Sequence, residues 1–274
     1  MKKFGIEYSL PKVSLLQDTG IGVAELAART CYDSFEKSEN ECVKYWSSQP
    51  DSRALNNIES SDLLYDLSHT YFHHSILEHA NLSFLIEGTS RGVLQEHSRH
   101  RIQAISVRST RYTMSPIINA FNVSENFNQF YDIVKDIDFL VITGERAKID
   151  INYIYNSLEF QFQTLGADEF LSLSASKDQK EILLGNQFSG YKTLFDKLQK
   201  VKQKRNVGDS FKHVVTDNWK VDMVVTFNVR SLRNYFTLRD SGAAYFQIKW
   251  LAQAMKKVTP QKYIDLIEKR KKDV

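Results

Sequence analysis

Between Arg99 and Tyr112 this 274-residue chain sets four arginines (Arg99, Arg101, Arg108 and Arg111), one histidine and the hydroxyls of Ser106, Ser109 and Thr110, without a single carboxylate. Guanidinium groups stay charged at any working pH, and their planar forks match phosphate or carboxylate in two parallel hydrogen bonds. Surface solubility does not require so dense a set of donors, so the fold has to present this stretch to something. A polyanionic ligand is the simplest reason to gather them.

The remainder of the chain supplies the core. Hydrophobic residues make up 42% and aromatics 12%, ample for a globular protein of one large or two small domains. Thirty-six basic residues stand against 33 acidic ones, a net +3 too balanced for a general nucleic-acid or membrane-surface partner. The basic site is therefore local. Two cysteines, Cys31 and Cys42, and an N-terminus without the apolar core of a secretory signal point to a reducing cytosol. No apolar run reaches the roughly 18 to 20 residues that span a bilayer.

Along the chain, a short alternating start around Phe4 to Leu10 is followed by apolar spacing that predicts helices over Val23 to Ser34 and Leu63 to His74. Residues 36–61 read as a polar surface connection or an insertion of short helical turns. Leu82 to Ile86 reads as a strand stopped by Gly88, with Thr89 or Ser90 capping a helix from Arg91 toward Arg101. The basic stretch thus begins on a helix end and runs into a less regular segment. Residues 125–163 read as long packed helices, 172–187 as polar, and the five basic residues within Lys197 to Arg205 as a solvated helix face. Val221 to Phe227 is β-branched enough for a strand, with Asn228 capping a helix over Val229 to Arg239 on which Arg230 and Asn234 share a face. A last amphipathic helix spans Ala243 to Val258, before Pro260. With no internal repeat, the expectation is one α+β domain over residues 1–274, with insertions near 36–61 and 172–205.

Four blocks carry a resemblance. They are Ala27-Ala28-Arg29-Thr30-Cys31-Tyr32; His73-His74-Ser75-Ile76-Leu77-Glu78-His79; Arg99-His100-Arg101 followed after seven residues by Ser109, then Arg111 and Tyr112; and Asn228-Val229-Arg230-Ser231-Leu232 closing on Leu238-Arg239. Together they resemble the flavin-dependent thymidylate synthases. The resemblance implies reductive methylation of dUMP to dTMP by an FAD-dependent methyltransferase, with methylenetetrahydrofolate as carbon donor and NADPH as reductant. It also implies a mixed or antiparallel sheet flanked by helices, and a homotetramer.

By the same resemblance, Ser75, Arg99, His100, Arg101, Val107, Asn228, Val229, Arg230 and Asn234 are cofactor contacts. Glu96, His97, Ser98, Arg99, Val107, Arg108, Ser109, Thr110, Arg111, Lys212 and Arg239 lie on the nucleotide side. Arg239 is the catalytic residue, a cation beside uracil N3 that stabilises the N3 anion as an opposite charge does for any acid, and so enriches the ring toward C5. Taken alone, it is also a cation at a helix C-terminus, where the dipole favours one. Ser109 is read as a nucleotide contact, because an unassisted hydroxyl is a weak nucleophile. Neither cysteine has the setting of an active thiolate, which disfavours a cysteine-dependent thymidylate synthase. Val107 stands where many relatives carry Glu or Gln, so a contact there falls to its backbone, and Lys212 stands where an arginine often binds nucleotide, without the bidentate fork.

Three readings compete with this one. His73, His74 and His79 resemble metal ligands in number, but neither a His-Glu-x-x-His helix nor a cysteine pair accompanies them, so they are read as structural or flavin-contacting and no metal is expected. Arg91, Arg99, Arg101, Arg108 and Arg111 with Tyr112 are compatible with a nucleic-acid face. A flavoprotein of this fold that lacks methylation activity would share all four blocks.

Overall fold

The computed structural model describes residues 2–3, 6–7, 10–109, 115–130, 132–133, 192, 195–196, 199–200 and 220–270. Contacts divide the chain into two compact units, one of Pro11–Glu87, Val93–Val107 and Asp222–Val274, the other of Met1–Leu10, Gly88–Gly92 and Arg108–Val221. At the N-terminus, β1 (Lys2–Lys3) pairs antiparallel with β2 (Ile6–Glu7). The main sheet is four-stranded, with β3 (Lys12–Asp18), β4 (Asn81–Ser90), β6 (Lys220–Asn228) and β5 (Ala104–Val107) in spatial order. β3 runs antiparallel to β4, and β5 to β6.

Alternate residues of β4 and β6 face inward, as the period of a strand dictates: Leu82, Phe84 and Ile86 on one, Met223, Val225 and Phe227 on the other. They join a core completed by Ala24 and Ala28 of α1 (Gly22–Cys31), Leu64 and Leu67 of α4 (Asp62–His69), and Val93 of α5 (Arg91–Ser98). Further helices add Leu232 and Tyr235 from α7 (Val229–Arg239), Leu251 and Met255 from α8 (Phe246–Val258), and Tyr263 and Leu266 from α9 (Gln261–Ile267). This is the α+β architecture expected, an antiparallel sheet with helices.

Residues 36–61 contain the expected short turns, α2 (Glu41–Lys44) and α3 (Ser52–Asn56). They are more than a surface connection, because Val43, Leu55 and Ile58 are buried in the core. In the other unit, α6 (Ser115–Val123) contributes Phe121 to a cluster with Phe127, Phe130 and Phe195, the Phe195 ring centroid lying 5.2 Å from those of both Phe121 and Phe130. The helices expected over 125–163 and the stretches over 172–205 fall for the most part outside the described residues.

Several sequence expectations are corrected. Gly88 does not stop its strand: at φ +75° it takes a conformation open to glycine, and β4 continues through Thr89 and Ser90. Those two are buried strand residues instead of caps. The helix after them ends at Ser98 and does not reach Arg101, and α1 ends at Cys31 and not Ser34. The expected Leu63 to His74 helix splits into α4 and a separate 3-10 segment, His74–His79. β3 was hidden by Leu15-Leu16, which break its alternation where the register shifts between Leu15 and Gln17.

Candidate functional site

Asn228 closes β6 and caps α7, its side-chain oxygen accepting the Ser231 N–H at 2.8 Å. The Val229 N–H donates to the Ala80 carbonyl at 2.9 Å, fixing the helix start beside the head of β4. Because Val229, Leu232, Tyr235 and Phe236 are buried, the opposite side of α7, with Arg230, Arg233, Asn234, Thr237 and Leu238, lines a cleft. Arg230 pairs with Glu78 at 2.5 Å, both about half exposed, so the pair adds little to stability. Arg233 turns inward and donates to Ser68 Oγ at 2.6 Å and to the Ser68 carbonyl at 3.1 Å. That carbonyl also accepts from His74 Nε2 at 3.0 Å, which orients the imidazole. Asp240, bonded to Gln253 at 3.0 Å, holds the far end of α7 against α8.

On α5, His97 is fully buried with Nδ1 3.1 Å from the Tyr235 hydroxyl and its ring edge-on to Phe227. Burial pushes its pKa down to about 4 and drives that of Tyr235 well above the usual phenol range, so the pair is a neutral buttress. Beyond Ser98 the Arg-His-Arg turn is held by Gln103, whose Nε2 donates to the His97 carbonyl at 3.1 Å and the His100 carbonyl at 2.8 Å. Arg239 reaches across to this turn. Its Nε donates to His100 Nε2 at 2.8 Å, its Nη1 to Glu96 Oε2 at 2.9 Å and its Nη2 to the Glu96 carbonyl at 3.1 Å. Burial, then the charges of Arg239 and Arg99, lower the pKa of His100, so its Nε2 serves as an acceptor. Arg99 shares Glu96, at 3.2 Å.

The cleft has a volume of about 1100 Å³, at the upper end of what ligand sites enclose. It joins Arg99, His100 and Arg101 to Arg230, Asn234 and Arg239, with His100 and Arg239 139 residues apart in sequence. Six of the expected site residues thus meet in one place. Ser75 lines a second cavity of about 440 Å³ with His73, Cys31, Tyr32 and Phe72, and both His74 and Arg230 border the two cavities.

Other expected contacts stand elsewhere. Val229 is buried in the core, Ser98 is exposed with its hydroxyl on the Gln95 carbonyl, and Asn228 serves as a cap. Val107 pairs with Met223 in the edge strand and packs its side chain on the core. Arg108, exposed, and Ser109, half-buried, belong to the other compact unit. Thr110, Arg111 and Lys212 lie outside the described residues, as does Tyr112.

Sequence reasoning passed over Ser68, Gln103, Arg233 and Tyr235, which hold the binding groups in place. Arg230 and Asn234 marked the cleft face of α7, which Arg233, three residues from Arg230, also borders, and Tyr235 lies on the buried side. Among the described residues, no group of three or more His, Cys, Asp or Glu side chains could hold a metal, and no helix is long and apolar enough to cross a membrane. Convergent guanidinium groups and an amide suit a ligand bearing phosphates, so the donor set fits a dinucleotide cofactor.

The family model described as thymidylate synthase complementing protein matches residues 14–262. The chain belongs to that family, the flavin-dependent thymidylate synthases. A flavin-dependent thymidylate synthase from Campylobacter jejuni is 27% identical over 257 residues, 94% of this chain and 96% of the relative. One from Wolinella succinogenes is 28% identical over 251 residues, 92% and 94% of the two chains. The crystal structure of thymidylate synthase X from Helicobacter pylori with FAD and dUMP aligns with TM-score 0.56 and 24% identity, covering 94% of this chain and 98% of that one. At that identity the likeness speaks for the fold of the flavin-dependent thymidylate synthases.

Proposed function

We propose that this chain catalyses the reductive methylation of dUMP to dTMP, with methylenetetrahydrofolate as carbon donor, NADPH as reductant and FAD as cofactor. The observation that carries the reading is the convergence of Arg99, His100 and Arg101 with Arg230, Asn234 and Arg239 on one cleft. FAD, when bound, supplies the hydride chemistry, which no amino-acid side chain can provide. Arg99, Arg101 and Arg230 hold phosphate groups in this reading, and Asn234 and Ser75 add neutral hydrogen bonds. Arg239 faces the uracil ring, where its charge favours the N3 anion and raises electron density toward C5. His100, accepting at Nε2, anchors the Arg239 guanidinium without competing for its charge. Glu96, His97, Ser98, Val107, Arg108, Ser109, Thr110, Arg111 and Lys212 belong to the nucleotide side of the proposal, and Asn228 and Val229 to the cofactor side.

The same proposal treats residues 1–274 as one functional domain with insertions near 36–61 and 172–205, working in the cytoplasm as a homotetramer. An absorbance spectrum of the purified protein, followed by anaerobic NADPH with and without dUMP, tests the core of it. Flavin bands that bleach, and dTMP formed once methylenetetrahydrofolate is added, are the expected result. A protein that stays colourless after incubation with FAD overturns it.

A further inference from the structure

We propose that Glu96 is a positioning residue for Arg239, and the counter-ion that sets how strongly Arg239 stabilises an anionic base in the cleft. The inference rests on the proposed function. Arg239 has five N–H donors, and three are occupied, two of them by Glu96 itself through its carboxylate at 2.9 Å and its carbonyl at 3.1 Å. The third is held by His100 at 2.8 Å. Such a grip fixes the guanidinium on the cleft wall before any substrate arrives. It also places a negative charge against the one cation that the N3 anion depends on, and an interaction energy falling only as the inverse of distance is partly cancelled there.

Glu96 has two arginine partners, and burial separates their roles. The Arg99 side chain is 71% exposed, so water and salt screen its pairing, whereas the Arg239 side chain is 16% exposed. The carboxylate charge is therefore felt chiefly through Arg239. Other groups near Arg239 do not substitute for it. From α5 and the turn after it come His97 and His100, both kept neutral near physiological pH by burial, and Tyr235 on α7 is likewise uncharged. Asp240, the next residue, is matched by Lys256 of α8 at 3.5 Å.

The test uses the FAD-loaded protein with 5-fluoro-dUMP as probe, because fluorine brings the N3 ionisation nearer neutrality and reports it by fluorine NMR as the proton leaves to solvent. Midpoints are compared for the unaltered chain, Glu96→Gln, Glu96→Asp, Glu96→Ala and Arg239→Ala. Glu96→Gln keeps an acceptor for Arg239 and removes the charge, so the bound N3 midpoint should fall by about one pH unit, roughly tenfold in ionisation. Glu96→Asp, which keeps the charge, should stay near the unaltered value, and Glu96→Ala, which loses the carboxylate anchor of Arg239 as well as the charge, should show a smaller fall than Glu96→Gln. If Arg239→Ala moves the midpoint but Glu96→Gln leaves it unchanged, the role given to Glu96 is overturned while the function stands. If Arg239→Ala leaves it unchanged as well, the uracil-anion reading falls, and this inference with it.

Discussion

On one wall of the cleft, Arg230, Asn234 and Arg239 stand on a capped helix whose reverse face is packed into the core, whereas on the other, Arg99, His100 and Arg101 ride a turn held by Gln103 and by Arg239 reaching across. The helical wall owes its geometry to apolar burial and backbone hydrogen bonds. The turn owes its geometry to a few side-chain hydrogen bonds, each worth about 1 kcal/mol. An irregular segment can aim adjacent side chains at one ligand, which a helix spreads by about 100° per residue. The denser motif is thus carried by the less strongly held backbone.

The largest expected effect separates chemistry from binding. Arg239→Ala should lower dTMP formation by about 100- to 1000-fold, the usual cost of losing a charge-stabilising donor, while leaving bound flavin largely intact. Full turnover in a steady-state assay would remove Arg239 from the chemistry. Next is acid sensitivity at the root of the turn. Since the folded pKa of His97 is depressed to about 4 against an unfolded value near 6.5, the unfolded chain binds the extra proton, and stability falls as pH drops through that window. The loss is about 3 kcal/mol, and melting temperatures of the native chain and His97→Phe measured across it should diverge. If both fall in parallel, His97 is not the acid-labile element.

A smaller effect tests the turn itself. Arg101→Ala should weaken FAD binding about tenfold, read by titrating flavin fluorescence, because a charged hydrogen bond to phosphate is lost without disturbing packing. Unchanged occupancy would put the phosphates elsewhere. The smallest tests the helical wall. Asn228→Ala should cost about 1 kcal/mol in urea unfolding through the lost cap, and a change in cofactor affinity larger than that would mean Asn228 also touches ligand.

The same contrast explains what could be read from the sequence. Asn228 capping a helix over Val229 to Arg239 was legible because cap, periodicity and strand exit all lie within a few neighbouring residues. The Arg-His-Arg motif was legible as chemistry but not as shape. Its turn is fixed by Gln103 nearby and by Arg239, 139 residues away from His100, and a partner that distant has no local signature. Burial of His97 against Tyr235 was equally hidden, since their contact spans 138 residues and a lone histidine carries no period. β5, only four residues long, borrows its structure from β6 by pairing Ala104 to Val107 against Thr226 to Met223.

The hydrogen bond from the Val229 N–H to the Ala80 carbonyl, together with the Arg230 to Glu78 pair, stitches the second sequence block to the fourth. Two segments encoded far apart thus meet at one main-chain bond and one ion pair. A chimera that takes either segment alone from a relative keeps the main-chain bond, which asks nothing of side-chain identity, and has only to match the charge at position 78 to that at position 230.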